Sequence, residues 1–149
     1  MRKLDFALAI RWLMCSLVIL FSCCSLQARE TTHYFEVSDG KPTESFVIAL
    51  TNRQKIETAR KIASGIISDQ IHVSGKIIKN SVRYNPNWNF HLDPKSITFV
   101  TFANTTCGRH LNTSEIQADL DLVGKPGSPL ALGFWCPLGS RITAEVSRP

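Results

Sequence analysis

The amino terminus of this 149-residue chain is the feature that most restricts how the rest can fold. Arg2 and Lys3 precede an apolar run at 12–21, an order typical of a secretory signal peptide. The run is about half of the roughly 20 residues that span a bilayer. We therefore expect cleavage, with an uncleaved membrane anchor as the alternative. An exported chain folds in an oxidising compartment, where cysteines pair.

Small residues follow the apolar run and predict where the leader is cleaved. Ala28 fits the requirement for a small last residue, and cleavage after Ser25 is the other option. We therefore divide the chain into a signal peptide, 1–28, and a single secreted domain, 29–149. Removing 28 of the 149 residues leaves 121, enough for one domain with its own core. No later apolar run approaches spanning length, so we expect no membrane span after signal cleavage.

The mature chain carries a small and dispersed positive charge. Cleavage removes three of the 17 Lys+Arg and one of the 12 Asp+Glu, which leaves 14 and 11, a net charge of +3. Nucleic-acid-binding domains usually show a dense basic patch, and the mature sequence has no run of like charge. We therefore expect no nucleic-acid partner.

Two cysteines remain after cleavage, Cys107 and Cys136. An even pair in an exported chain predicts one disulfide, which on a loop-entropy argument stabilises the fold by about 3.5 kcal/mol. The alternative is a pair of free thiols that act as a nucleophile or as metal ligands. The two cysteines lack the CxxC spacing that would support a metal site.

Apolar alternation, turn signals and caps predict the order β-β-α-β-β-β-α-β. The predicted strands are 33–37, 45–50, 71–79, 88–92, 96–105 and 141–146. One predicted helix is capped by Thr51 or Asn52 and runs to about residue 64, and the other spans 112–123. Asn112 and Glu115 have capping-box spacing, and Gly75 marks a bulge or a close approach. Hairpins outnumber crossovers in this order. We therefore expect an α+β fold, a mostly antiparallel sheet with two helices on one face and one disulfide.

Two sequons follow the fifth predicted strand, at Asn104 and Asn112. Both are acceptors for N-linked glycan in an exported chain. The alternative is that both are unmodified polar residues, Asn112 serving as a helix cap.

Three side chains could hold a metal ion if their strands pair: His72, His91 and Asp93. Three such groups can bind zinc. The HxD spacing alone is a weak signal, so we expect structural histidines, a turn-forming Asp93, no metal and no cofactor. The sequence also lacks a nucleophile elbow and a phosphate loop. The protein is therefore predicted not to be an enzyme.

Two further patterns have a functional and a structural interpretation. The basic, partly amphipathic segment 53–67 resembles a calmodulin-type target helix, but a helix packed on a sheet gives the same pattern. Trp88 and Trp135 could form a ligand platform, although packing in the core is the expected role of large aromatic residues in a small domain. We expect the structural role in both cases.

The segments 59–60, 71–78, 84–97 and 135–137 together resemble a family of small secreted domains. They are similar to the amino-terminal domain of a slime-mould calmodulin-binding protein and to short stand-alone bacterial and invertebrate proteins. The likeness spans about 33–146, and the stretch YNPNWNFHLDP is its most specific part. The resemblance implies a shared fold and a cysteine pair at Cys107 and Cys136, and it supplies no catalytic residues. Calmodulin is intracellular, so that label is not carried over to an exported chain.

Three functional hypotheses follow from these features. The first is a secreted, non-enzymatic extracellular protein, either a binding module for an unidentified macromolecule or part of a secreted matrix, such as a skeletal or mineral-associated one. The second is a protease-inhibitor-like protein that uses the Pro/Gly loop 125–133. The third is an enzyme that uses His72, His91 and Asp93. The mature chain lacks the acidic runs that would bind a calcium-rich surface.

We predict that native protein begins within a few residues of Ala28 and contains a peptide in which Cys107 is bonded to Cys136. Export both removes the leader and oxidises the thiols. Mass spectrometry of non-reduced digests measures both properties. Native material that retains Met1 and two reduced thiols would contradict export.

Overall fold

The computed structural model describes residues 31–39, 45–101, 111–137 and 139–147. The predicted leader, Asn104 and Cys107 lie outside these ranges. The strands are β1 His33–Ser38, β2 Ser45–Leu50, β3 His72–Ile78, β4 His91–Leu92, β5 Thr98–Val100, β6 Phe134–Trp135 and β7 Arg141–Val146. The helices are α1 Arg53–Ala63 and α2 Thr113–Ala118, and a 3₁₀ turn at Leu120–Leu122 follows α2. No helix within these ranges has the length and apolar character that crossing a bilayer requires.

The first sheet has three antiparallel strands in the order β2-β1-β7. Residues alternate between its two faces, as the pleat requires. Phe35, Val37, Phe46 and Ile48 are buried on the inner face. The outer face carries Tyr34. The pairing of β1 with β7 shifts register after Glu36, and the shift bends this edge of the sheet.

The second sheet is built around β3, which pairs antiparallel with β4, β5 and β6. Gly75 lies in the middle of β3, and a Cβ at this position would be 3.0 Å from Cδ1 of Leu92 and 3.3 Å from Cγ1 of Ile97. The close approach predicted for Gly75 is thus confirmed. A side chain here would separate β3 from the residues that pack over it.

Helix α1 follows directly after β2 and packs mainly on β7. It begins where the side chain of Asn52 accepts a hydrogen bond from the backbone of Lys55, 3.1 Å away. Ile56, Ala59 and Ile62 form its buried stripe. The opposite, charged face is solvated, which is the structural interpretation expected for segment 53–67.

Helix α2 has the predicted capping box. The side chain of Asn112 accepts from the backbone N–H of Glu115, and the Glu115 carboxylate accepts from the backbone N–H of Asn112. The helix ends at Ala118 and continues as the 3₁₀ turn. It is therefore shorter than the predicted span to 123. Ile116 carries its contribution to the core.

Aromatic side chains join the two sheets. Phe46 of the first sheet has its ring centre 5.1 Å from that of Trp135 in β6 and 5.2 Å from that of Phe90, which precedes β4. All three are at most 1% exposed. Rings in tilted and offset contact fill the space between layers efficiently. These contacts make one core out of two sheets.

The α+β class, the antiparallel pairing and the two helices agree with the sequence prediction. The division into two sheets and the strand β6 differ from it. Strand β6 has only two residues, so it shows no alternation that a sequence pattern could detect. Strand β5 is shorter than the predicted 96–105, and residues 102–105 of that prediction lie outside the described ranges. The turn Asp93–Ser96 separates β4 from β5. Within it, the backbone N–H of Ser96 donates a hydrogen bond to the carbonyl of Asp93.

The YNPNWNF stretch, residues 84–90, binds the outer edge of β2. The side chain of Asn85 accepts from the backbone N–H of Val47 at 2.8 Å and donates to its carbonyl oxygen at 2.6 Å. The indole N–H of Trp88 donates to the carbonyl of Ser45. Asn85 is only 2% exposed. One amide side chain thus makes the two backbone hydrogen bonds that a neighbouring strand would otherwise make to this edge residue.

We predict that Asn85→Ala lowers the free energy of unfolding by about 1–3 kcal/mol, because it leaves both backbone groups of Val47 without their partner. The matched control is Asn87→Ala, since Asn87 is exposed two residues away in the same loop. Urea denaturation of both variants measures the difference. Equal stability of the two variants would contradict a structural role for the Asn85 amide.

Candidate binding cleft

A cleft of about 320 Å³ opens between the end of α1, the segment that follows it and the start of β7. It is lined by Ile62, Ile67, Ser68, Asp69, Gln70, Ile71, Gly139, Ser140 and Arg141. Its volume is at the lower end of the range typical of ligand sites, about 300–1,000 Å³. It suits a small ligand or a few residues of a partner chain.

The lining combines three isoleucines with two opposite charges. Ile62, Ile67 and Ile71 supply apolar surface, and Asp69 and Arg141 supply the charges. Neither charged side chain makes an ion pair or hydrogen bond to another residue of the described ranges. Both are exposed. The two charges are therefore available to an incoming molecule.

The end of α1 turns the chain outward to form one wall. The backbone N–H of Ser64 bonds to the carbonyl of Arg60, and Gly65 has φ +75°, the left-handed conformation common after a helix. The next residue, Ile66, is 74% exposed. This large apolar side chain, one residue before Ile67 in the cleft lining, adds exposed apolar surface that a partner would bury.

Two buried side chains brace the opposite wall. The Nδ1 atom of His72 accepts a hydrogen bond from the backbone N–H of Gly139 at 3.1 Å. The hydroxyl oxygen of Ser140 accepts from the backbone N–H of Val73 at 2.9 Å. Because Nδ1 is an acceptor, His72 carries its ring proton on Nε2. The wall is thereby tied to β3 at two adjacent points, which fixes its shape.

A charged network fastens α1 across β7. The guanidinium of Arg60 donates to both carboxylate oxygens of Glu145, at 2.8 and 2.9 Å, and Nδ1 of His33 lies 2.7 Å from the same carboxylate. The hydrogen bond from Arg60, with a smaller contribution from His33, lowers the pKa of Glu145 to about 2. The same contact raises the pKa of Arg60 above its ordinary value. The two walls of the cleft belong to the elements that this network joins.

The predicted metal-ligand candidates do not come together. His91 pairs with Ile78 at one end of β3. His72 lies at the other end of β3, six positions from Ile78, which along a strand is about 20 Å. Nδ1 of His91 lies 3.0 Å from the carbonyl oxygen of Asn80, and Asp93 accepts from the backbone N–H of Lys95. In the part of the chain that the structure describes, no three His, Cys, Asp or Glu side chains could share a metal ion.

The other singled-out residues have structural surroundings. Cys136 follows β6 and is 8% exposed, with Sγ 2.9 Å from Oγ of Ser74. The Oδ1 atom of Asn112 accepts from the backbone of Glu115 and from the hydroxyl of Ser114. Trp135 is buried in the core and Trp88 packs at its margin. Neither tryptophan lines the cleft.

The sequence does not indicate that Asp69, Arg141 and the three isoleucines line one cleft. They come from a loop, a strand start and a helix end, and no spacing links them. The exposed Ile66 immediately after a helix-ending Gly65 is the one local signal, because a bulky apolar residue is unusual in a polar turn.

The comparisons with known proteins identify the family. The sequence matches the family described as BP-74 N-terminal domain over residues 31–149. The match covers well over half of the chain, so the protein belongs to this family, and the resemblance predicted from the sequence is confirmed. No curated protein and no solved structure matches the chain.

We predict that Glu145→Gln destabilises the fold at pH 7 and that the difference from wild type narrows as the pH falls towards 2. The folded-state pKa, about 2, is below the ordinary value of 4.5. The ion pair therefore stabilises the fold fully above pH 4.5 and is lost as the pH falls through 2. The effect is modest and weakens with salt, because the side chains of Arg60 and Glu145 are 40% and 34% exposed.

Urea denaturation at several pH values measures this dependence. Asp121→Asn is the control, since Asp121 is an exposed carboxylate outside the network. A Glu145→Gln difference that is constant from pH 7 to about pH 2.5 would show that the network does not stabilise the folded state.

Proposed function

We propose that this member of the BP-74 N-terminal domain family is a secreted, non-enzymatic binding module that receives a segment of an extracellular macromolecule in the cleft beside Arg141. The observation that carries the proposal is a pair of opposite charges, Asp69 and Arg141, that have no side-chain partner among the described residues and share a cleft with three isoleucines. A segment with an apolar side chain between a basic and an acidic group matches this surface. Soluble matrix components with such segments are included in this class.

The rigidity of the cleft supports recognition. Its far wall is held by the bonds of His72 to Gly139 and of Ser140 to Val73. A preformed site loses less conformational entropy when it binds than a mobile one, so more of the contact energy appears as affinity. The buried polar side chains that brace it have backbone partners and are not arranged as acid, base and nucleophile around a common point.

A disulfide between Cys107 and Cys136 is part of the proposal. Cys136 lies only three residues before Gly139, and both belong to the chain that leads from β6 to the cleft wall. A covalent tie at Cys136 would restrict this chain further. It would also stabilise a small domain after export.

Protease inhibition is the second candidate, and one feature favours it. The loop 125–133 is held by internal bonds: Leu130 is buried, its carbonyl accepts from the backbone N–H groups of Gly124 and Gly133, and Ser128 bonds to Leu122. Leu132 and Phe134 are exposed at its end, by 64% and 39%. A rigid loop that presents apolar side chains suits a protein surface. Nanomolar inhibition in a panel of purified proteases would support this candidate over the cleft.

We expect Arg141→Ala to weaken capture of the extracellular partner about tenfold, as loss of a central interface arginine does. The test uses mature wild-type protein, cross-linked to proteins of the extracellular fraction and analysed by quantitative mass spectrometry. Arg53→Ala is the matched control, because it removes an exposed arginine at the opposite end of α1. A partner lost equally with both variants, or with neither, would contradict recognition at the cleft.

A further inference from the structure

The two tyrosines of the chain face each other. The sequence contains only Tyr34 and Tyr84, fifty positions apart. In the folded domain their ring centres are 5.1 Å apart and the ring planes meet at 51°. The contact is long-range in sequence, because Tyr34 belongs to β1 and Tyr84 to the loop that precedes β4.

The loop that binds the edge of β2 holds this pair in place. Tyr34 is on the outer face of β1, opposite Ala49 in the register with β2. Tyr84 immediately precedes Asn85, whose amide is bonded to both backbone groups of Val47. Ala49 has a small side chain and is only 3% exposed, so the outer face of the sheet is covered at this point. The approach of the two rings is therefore fixed by strand pairing on one side and by two hydrogen bonds on the other.

We propose that Tyr34 and Tyr84 are a site of oxidative cross-linking, in which the two side chains become an intramolecular dityrosine. Each phenol loses one electron and one proton to give a phenoxyl radical. The radicals join through a new carbon–carbon bond between ring carbons ortho to the hydroxyls, and the ring hydrogens at those carbons move to the oxygens to restore both phenols. The pair loses two hydrogens in total.

The oxidant is a peroxide used by a heme peroxidase. Hydrogen peroxide accepts the two electrons and two protons and becomes two molecules of water, so the step balances. The protein meets extracellular peroxide only if it is exported, so this part of the inference rests on the proposed function. The reaction itself depends only on the folded geometry.

The surroundings favour coupling within one molecule. Both tyrosines are half-buried, so an oxidant reaches the rings while much of each ring is shielded from a second protein. Burial, with a smaller contribution from Tyr34, raises the pKa of Tyr84 to about 12. Tyr84 therefore enters the reaction as a protonated phenol near neutral pH. A partner ring at 5.1 Å competes strongly against any ring that must arrive by diffusion.

Treatment of the purified mature protein with a heme peroxidase and hydrogen peroxide tests the proposal. The expected product is a monomer in which peptides containing Tyr34 and Tyr84 are joined with the loss of two hydrogens, with dityrosine fluorescence. Its yield per molecule stays constant over a roughly hundredfold dilution, because the reaction is intramolecular. Tyr34→Phe and Tyr84→Phe keep the ring packing and abolish this product.

Two outcomes would overturn the proposal: cross-linked dimers that dominate and disappear on dilution, or the same monomer yield in urea as in buffer. Circular dichroism confirms that the phenylalanine variants are folded. These readouts do not involve the cleft, so a failed cross-link leaves the binding function standing. Conversely, loss of binding by Arg141→Ala leaves the cross-link unaffected.

Discussion

The packing of Phe46 against Phe90 and Trp135 is the interaction on which the rest of the structure depends. The two sheets are joined by side chains rather than by a continuous hydrogen-bond ladder, so their relative placement follows from how these rings fill the space between them. Trp135 also donates its indole N–H to the carbonyl of Leu111, which ties the chain before α2 to the same point. Small domains have few such rings, and each therefore carries a large share of the buried area.

The cleft is a consequence of that arrangement. One wall is formed by the end of α1 and the segment that follows it. The other wall is the turn that leads from β6 in the second sheet to β7 in the first. The bond from Gly139 to His72 crosses from the turn to β3, and the ion pair of Arg60 and Glu145 crosses from α1 to β7. The shape of the cleft around Arg141 thus depends on contacts in both sheets, and Ile62 is the one buried apolar residue in its lining.

Local signals in the sequence predict the local structure well. Asn52, Asn112 and Glu115 mark the two helix starts because capping depends on residues three positions apart. The pair of sheets and the cleft depend instead on distant residues: Arg60 and Glu145 are 85 positions apart, and His72 and Gly139 are 67 apart. Sequence reasoning singles out His72 as a weak metal candidate, whereas its ring is a hydrogen-bond acceptor that braces a wall. Spacing along the chain carries no information about such partners.

The bonds between Asn85 and Val47 also affect how molecules of this protein meet one another. An outer strand with open amide and carbonyl groups is a template on which a second chain can be added, and repeated addition leads to fibrils. On β2 the middle of that template is already occupied by a side chain that belongs to the same molecule. Growth from this edge would first require the loop to be released. The bonds of the YNPNWNF stretch therefore protect β2 against amyloid-like stacking.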